Sequence, residues 1–139
     1  HGIENIVKNT GFKGRWQILN QKPLIVCDSG HNREGISEAV KNLLNTPHKN
    51  LHMVIGMVND KDVASVLHLL PQEATYYFCR ADIPRGLEAQ VLAKQAGDLG
   101  LKGYPYRNVK EALDTAKKQA KEDDLIFVGG STFVVAEIV

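Results

Sequence analysis

One loop of this sequence gathers several residues that could bind an anion or move a proton. Asp28-Ser29-Gly30-His31-Asn32 follows the short apolar segment Leu24–Cys27. Asp28 could accept hydrogen bonds from ribose hydroxyls or orient a base, or it could serve only as a cap. His31 could donate to an anion or transfer a proton near neutral pH. Asn32 has the residue type that a helix N-cap needs.

Three further stretches carry candidate residues, each with two interpretations. Gly129-Gly130-Ser131-Thr132 is either a tight turn with an N-cap or an anion site in which Ser131 adds a hydroxyl to free backbone N–H groups. Asp60-Lys61-Asp62 is either a solvated helix start or a loop whose Lys61 neutralises phosphate or carboxylate charge. Arg15, between a glycine and a tryptophan, is either a surface charge or a held guanidinium.

The elements between these loops alternate between two periodicities. Short apolar segments indicate strands, and apolar residues at i, i+3, i+4 and i+7 between them indicate helices. This βαβ rhythm predicts an α/β fold, a Rossmann-like three-layer sandwich with a mostly parallel sheet of about six strands and helices on both faces. The loops at the carboxyl ends of the strands would then lie at one edge. The expected edge strand is 14–19, and the other expected strands are 24–27, 51–58, 75–79, 103–107 and 125–128. The expected helices are 33–44, 63–70, 87–99, 109–120 and 132–139.

The composition narrows the class of protein. The chain has 139 residues, 43% of them hydrophobic and 24% charged, with a net charge of +1, which is typical of one soluble domain. The balanced charge argues against nucleic-acid and membrane partners. Cys27 and Cys79 lack a CxxC spacing, so we expect buried thiols, a reduced cytoplasmic setting and no metal site. Neither GxxxxGK[ST] nor GxGxxG occurs.

In their order along the chain, the loops resemble those of a known family. The chain resembles the C-terminal domain of folylpolyglutamate synthase/dihydrofolate synthase, a branch of the Mur ligase superfamily. The motifs that carry this resemblance are Gly14-Arg15-Trp16, Asp28-Ser-Gly-His31-Asn32, Asp60-Lys61-Asp62, Pro84-Arg85-Gly-Leu87 and Gly130-Ser131. The family's central loop typically reads D-G-A-H-N-P, and here Arg33 stands in place of the proline.

The resemblance implies ATP-dependent amide ligation through an acyl phosphate, with L-glutamate added to folate or to dihydropteroate. Carried over by position, Arg15 and Asp28 would contact ATP, and His31, Ser131 and Lys61 would bind glutamate and the acyl phosphate, with His31 as the catalytic residue. Magnesium would be bound mainly by an N-terminal P-loop domain of the same parent chain.

The resemblance also sets expectations about the molecule as a whole. Residues 1–139 would be a fragment of a larger two-domain ligase, since the chain starts at His1 and ends within an apolar segment. Residues 1–14 would be the linker from the N-terminal domain. We expect the parent to be a monomer and the fragment alone to be inactive.

Two alternatives to this interpretation stay open. One is the C-terminal domain of another Mur-type amino-acid ligase, such as a cell-wall enzyme, although those enzymes usually lack the histidine of the central loop. The other is a non-catalytic α/β nucleotide-binding module in which Asp28 and Asp60 serve as acidic pocket residues.

Overall fold

A computed structural model describes residues 16–59 and 63–138, which form one six-stranded sheet with helices packed against it. The strands are β1 (Gln17–Gln21), β2 (Leu24–Asp28), β3 (Leu51–Ile55), β4 (Thr75–Phe78), β5 (Gly103–Pro105) and β6 (Leu125–Gly129). The helices among the described residues are α1 (Arg33–Asn45), α2 (Val63–Leu67), α3 (Ala89–Asp98), α4 (Val109–Gln119) and α5 (Thr132–Ala136).

The strand order is β1-β2-β6-β3-β4-β5, and only β1 runs antiparallel to its neighbour. The central strands β3 and β6 are buried along their whole length, as expected of parallel strands covered on both faces. The mostly parallel sheet of about six strands is therefore confirmed, and the first strand lies at its edge as predicted.

Helices cover both faces of the sheet, which confirms the three-layer sandwich. One buried cluster joins α1, α2 and α3 to the sheet through residues such as Ile36, Val66 and Leu92. The other joins α4 and α5 to the opposite face through Ala112 and Val134. Within the part of the chain that the structure describes, no helix has both the length and the apolar content needed to cross a membrane.

The predicted strand 51–58 is too long, because β3 ends at Ile55. A Cβ on Gly56 would lie 2.7 Å from a methyl carbon of Val134 and 2.8 Å from the Cys79 carbonyl oxygen, so the backbone passes this point only as glycine. Beyond it the chain leaves the sheet, and Val58 instead forms an isolated antiparallel bridge with Gly86.

Several other elements differ from the prediction. β1 continues to Gln21 rather than ending at residue 19, and α5 ends at Ala136 rather than at residue 139. α2 ends at Leu67 rather than near Leu70, and β5 ends at Pro105 rather than at residue 107. α3 begins at Ala89 rather than at Leu87, because the Leu87 N–H donates to the Met57 carbonyl and so belongs to the bridge. The expected linker at residues 1–14 lies outside the described residues.

Candidate functional site

The candidate site lies where β2, β6 and β3 end side by side. Gly129 of β6 is aligned with Asp28 on one neighbour and with Ile55 on the other, so the three loops that follow start at one level. The chain crosses from β2 through α1 to β3, and β6 lies between the two strands. Such a break in strand order opens a crevice at the carboxyl edge, which is where open α/β sheets bind ligands.

Asp28, at the end of β2, fixes the backbone on this side of the crevice. Its side chain is 1% exposed, one carboxylate oxygen accepts the Gly30 N–H at 2.8 Å, and the other accepts the Trp16 N–H at 3.1 Å. Trp16 has a φ of 41°, a left-handed conformation that a tryptophan adopts only when its surroundings impose it. The carboxylate therefore ties the start of β1, next to Arg15 in sequence, to the turn after β2.

Asn32 is the N-cap of α1, which confirms the interpretation from the sequence. Its side-chain oxygen accepts the Gly35 N–H at 2.8 Å. The turn before it is tight, since a Cβ on Gly30 would lie 2.9 Å from the Gly35 carbonyl carbon. The loop is thus held at one end by Asp28 and at the other by the helix.

His31 lies between those two anchors and is exposed. Its imidazole makes no hydrogen bond to another described residue. It lines a cavity of about 260 Å³ with Asn32 and Gly130, whose other walls are the apolar side chains of Met57, Val58, Val63 and Val66. A cavity with a polar mouth and apolar walls suits a small ligand with a charged end and a methylene chain.

Gly130 and Ser131 follow β6, and Gly130 lines the cavity. Gly130 has a φ of 98°, and a Cβ there would lie 2.5 Å from the Gly56 carbonyl oxygen, so the turn requires glycine. Ser131 is 1% exposed, and its hydroxyl oxygen accepts the Phe133 N–H at 3.0 Å. The N-cap interpretation of Ser131 is confirmed, and an anion-binding role for it stays a prediction.

Two predicted site residues, Arg15 and Lys61, lie outside the described residues, so the structure does not place their side chains. The other three, Asp28, His31 and Ser131, converge on the same crevice. Their assigned roles stay predictions, and Asp28 in this conformation uses both carboxylate oxygens on backbone N–H groups.

Neither cysteine near this edge has the properties of a nucleophile. Burial raises the pKa of the Cys27 thiol to about 12, with a further contribution from the charge of Asp28. Burial also raises the pKa of Cys79 to about 12, with a smaller contribution from Glu137. Both thiols stay protonated at neutral pH.

The apolar walls of the cavity and the loop 80–87 that contacts them are not apparent from the sequence. The sequence places Met57 and Val58 in a strand, and Val63 and Val66 in the buried face of a helix. Pro84-Arg85-Gly86 was noted as a motif without a role. The glycine of this motif, Gly86, was the one sign in the sequence that another segment could approach the loop closely, and it pairs with Val58 just after β3.

Comparisons with known proteins agree on one family. The family model described as "Mur ligase, glutamate ligase domain" matches residues 14–132. A probable bifunctional folylpolyglutamate synthase/dihydropteroate synthase of Haloferax volcanii is 32% identical over 136 residues, which is 97% of this chain and 16% of that protein. The dihydrofolate synthase/folylpolyglutamate synthase of Escherichia coli is 30% identical over 140 residues, 99% of this chain and 32% of that protein.

Solved structures give the same result. The E. coli FolC protein in complex with DHPP and ADP has a TM-score of 0.83 and 30% identity, over 91% of this chain and 30% of that one. A bifunctional folylpolyglutamate synthase/dihydrofolate synthase with Mn, AMPPNP and L-glutamate bound has a TM-score of 0.82 and 28% identity, over 92% of this chain and 31% of that one. The chain spans a third or less of the length of these proteins.

Proposed function

The chain belongs to the Mur ligase family through its glutamate ligase domain, and from this we propose that it is the C-terminal lobe of an ATP-dependent ligase that adds L-glutamate to folate, to dihydropteroate or to both. The similar proteins are folylpolyglutamate synthases that are also dihydrofolate or, in Haloferax volcanii, dihydropteroate synthases, and one of their structures holds L-glutamate. We extend those substrates to this chain as a proposal, since the chain covers only part of those proteins.

One observation carries the proposal, namely the exposed His31 at the mouth of the cavity where three strands end together. Glutamate is a small ligand with charged ends and a short methylene chain, which matches a polar mouth and apolar walls. His31, with no partner among the described residues, is available to donate to a carboxylate.

The reaction that we propose has two steps. The acceptor carboxylate attacks the γ-phosphate of ATP, which gives an acyl phosphate and ADP. The amine of glutamate then attacks the acyl carbon, the amide forms, and phosphate leaves with the bonding electrons while the amine loses a proton. His31 donates to the oxyanion that develops in the second step, and Ser131 would bind at the same acyl-phosphate end.

The other residues support binding rather than bond making. Arg15 would contact the phosphates of ATP, and Lys61 the carboxylate or acyl phosphate, since both are cations suited to anions. Asp28 holds the loop through the Trp16 and Gly30 N–H groups and would contact the nucleoside of ATP in our assignment. Among the described residues, no group of three or more His, Cys, Asp or Glu side chains could hold a metal ion.

Magnesium, which offsets phosphate charge in such reactions, would be held mainly by an N-terminal P-loop domain, as the resemblance to the family implies. That domain would close on this one and exclude water from the acyl phosphate. We propose a cytoplasmic monomer for the full-length protein. Without the P-loop domain, residues 1–139 are expected to show no ligase activity, and glutamate addition to folate by the purified chain would contradict this.

The test is a kinetic comparison in the full-length protein of His31→Ala and Asp28→Ala with His68→Ala as the matched control. His68 is exposed at the end of α2 and does not line the cavity. We expect His31→Ala to lower kcat/KM for glutamate about 100-fold, the usual scale for loss of an oxyanion donor. Wild-type kinetics in both His31→Ala and Asp28→Ala would overturn the site assignment.

A further inference from the structure

Arg80 folds the loop between β4 and α3 onto itself. Its Nε donates to the Gly86 carbonyl oxygen at 2.8 Å, and one terminal nitrogen donates to the Ile83 carbonyl oxygen at 3.3 Å. The other terminal nitrogen lies 3.7 Å from a carboxylate oxygen of Glu88. One planar guanidinium therefore bonds two carbonyl groups of the loop and lies near Glu88, a forked geometry that the single ammonium of a lysine does not reproduce.

The same loop is bonded to the segment that follows β3. The Asn59 N–H donates to the Arg85 carbonyl at 2.7 Å, and the Leu87 N–H donates to the Met57 carbonyl at 2.8 Å. Between these bonds Gly86 pairs with Val58 in an antiparallel bridge.

Gly86 allows the two segments and Arg80 to come together. A Cβ at this position would lie 2.6 Å from the Ala81 carbonyl oxygen and 3.0 Å from Cγ of Arg80. Residues 57–59 and the loop 80–87 are thus joined by hydrogen bonds into one unit.

That unit ends at the wall of the candidate site. Met57 and Val58 line the same cavity as His31, whereas Arg80 does not line it. Met57 also packs in the buried core, but the backbone of 57–59 has left the sheet and is bonded instead to the 80–87 loop.

We propose that Arg80 is a positioning residue for the amino-acid cavity, acting through the Gly86 bridge on the wall formed by Met57 and Val58. This inference rests on the proposed function. Loss of the guanidinium loosens the wall, so the incoming glutamate binds less well, while ATP binding, which we assign to Arg15 and Asp28 and not to this wall, is unaffected.

The first experiment tests the mechanical link in the 139-residue chain and does not depend on glutamate. Amide hydrogen exchange is compared in wild type, Arg80→Ala and Arg107→Ala. Arg107 is an exposed arginine with one ion pair to Glu111. We expect faster exchange of the Asn59 and Leu87 amides in Arg80→Ala only, with the β6 amides unchanged. Unchanged exchange at both amides would overturn the proposal.

The second experiment separates positioning from a general loss of folding. In the full-length protein, Arg80→Ala is expected to raise KM for L-glutamate about tenfold, with kcat and KM for ATP changed less than about twofold. Arg80→Lys, which keeps one donor for Gly86, should recover part of this loss, and Arg107→Ala should behave as wild type.

A lower kcat with unchanged KM for glutamate in Arg80→Ala would overturn the proposal, since that is the mark of fewer active molecules. If the wild-type protein shows no glutamate-dependent formation of ADP, the proposed function fails instead, and the exchange experiment still decides the link between Arg80 and the wall.

Discussion

At the residue scale, neighbours in one loop have opposite environments. Asp28 is 1% exposed and bonded to backbone N–H groups, whereas His31, three positions later, is exposed beside the cavity. A buried carboxylate in such a turn stabilises the backbone, and an exposed imidazole on that backbone is free to meet a ligand. Asp28 therefore fixes the conformation of the loop, and His31 presents a donor to solvent.

Burial also decides the reactivity of the two cysteines. With both thiol pKa values raised to about 12, we expect Cys27 and Cys79 to resist a thiol reagent such as Ellman's at pH 7.5 in the folded chain. Both should react fully in denaturant. Tyr104→Cys, at a position 73% exposed, is the positive control and should react at once. Reaction of the native thiols as fast as this control would show that the strand ends are open to solvent.

At the element scale, the site depends on how strands and helices begin and end. β3 ends at Ile55, and the bridge between Val58 and Gly86 draws the following segment out of the sheet, so that Met57 and Val58 form a cavity wall. α1 starts at a side-chain cap, which sets the direction in which the preceding turn presents His31. Loops that bind ligands are thus positioned by rigid elements on either side.

Removal of the α1 cap should destabilise the chain measurably. Asn32→Ala leaves the Gly35 N–H without its acceptor, so we expect a loss of about 1 kcal/mol in the free energy of unfolding, measured by urea titration. Asn42→Ala, at an exposed position inside the same helix, is the control and should change stability by less than about 0.5 kcal/mol. Equal effects of the two substitutions would contradict a capping role.

At the scale of the whole molecule, a buried polar network lies at the edge of the sheet opposite the site. His52 of β3 bonds Asp124, just before β6, at 2.8 Å and the Tyr77 hydroxyl of β4 at 2.9 Å. The Tyr77 hydroxyl in turn donates to Gln119 at the end of α4 at 2.8 Å. The network links the central strands to one helical layer, far from the ligand crevice.

Asp124 makes stability depend on pH. Desolvation by burial would raise the pKa of Asp124. Hydrogen bonds from the Lys121 N–H, the His52 ring and Asn50, together with the positive charge of His52, outweigh this effect and hold the pKa below its usual range. A carboxylate with a lowered folded-state pKa stabilises the fold above the ordinary Asp pKa of about 4, and that contribution is lost as pH falls through the folded-state value.

We therefore expect Asp124→Asn to lower the free energy of unfolding by about 2 kcal/mol at pH 6 and by much less near pH 2. Asp123→Asn, at the exposed neighbouring position, should follow the wild-type profile at every pH. Denaturant titrations across this range measure the difference. An Asp124→Asn deficit as large at pH 2 as at pH 6 would rule out this electrostatic account.

The sequence predicted the elements better than their ends. Ile36, Ala39 and Leu43 show the helical period directly, and Asn32 shows the cap, which accepts an N–H three residues on. The end of β3 was missed because Met57 and Val58 are as apolar as the strand before them. Only the Gly86 bridge, made with a residue 28 positions later, removes Val58 from the sheet.

By itself the sequence determined the α/β class, the parallel sheet and the loop that carries Asp28, His31 and Asn32. These follow from local periodicity and from residue types in short segments, which the chain encodes within about ten positions. The tertiary structure decided that β6 inserts between β2 and β3, that Asp28 is buried while His31 is exposed, and that Arg80 supports the cavity wall. Those features depend on contacts between residues far apart in sequence, whose pairing no local pattern records.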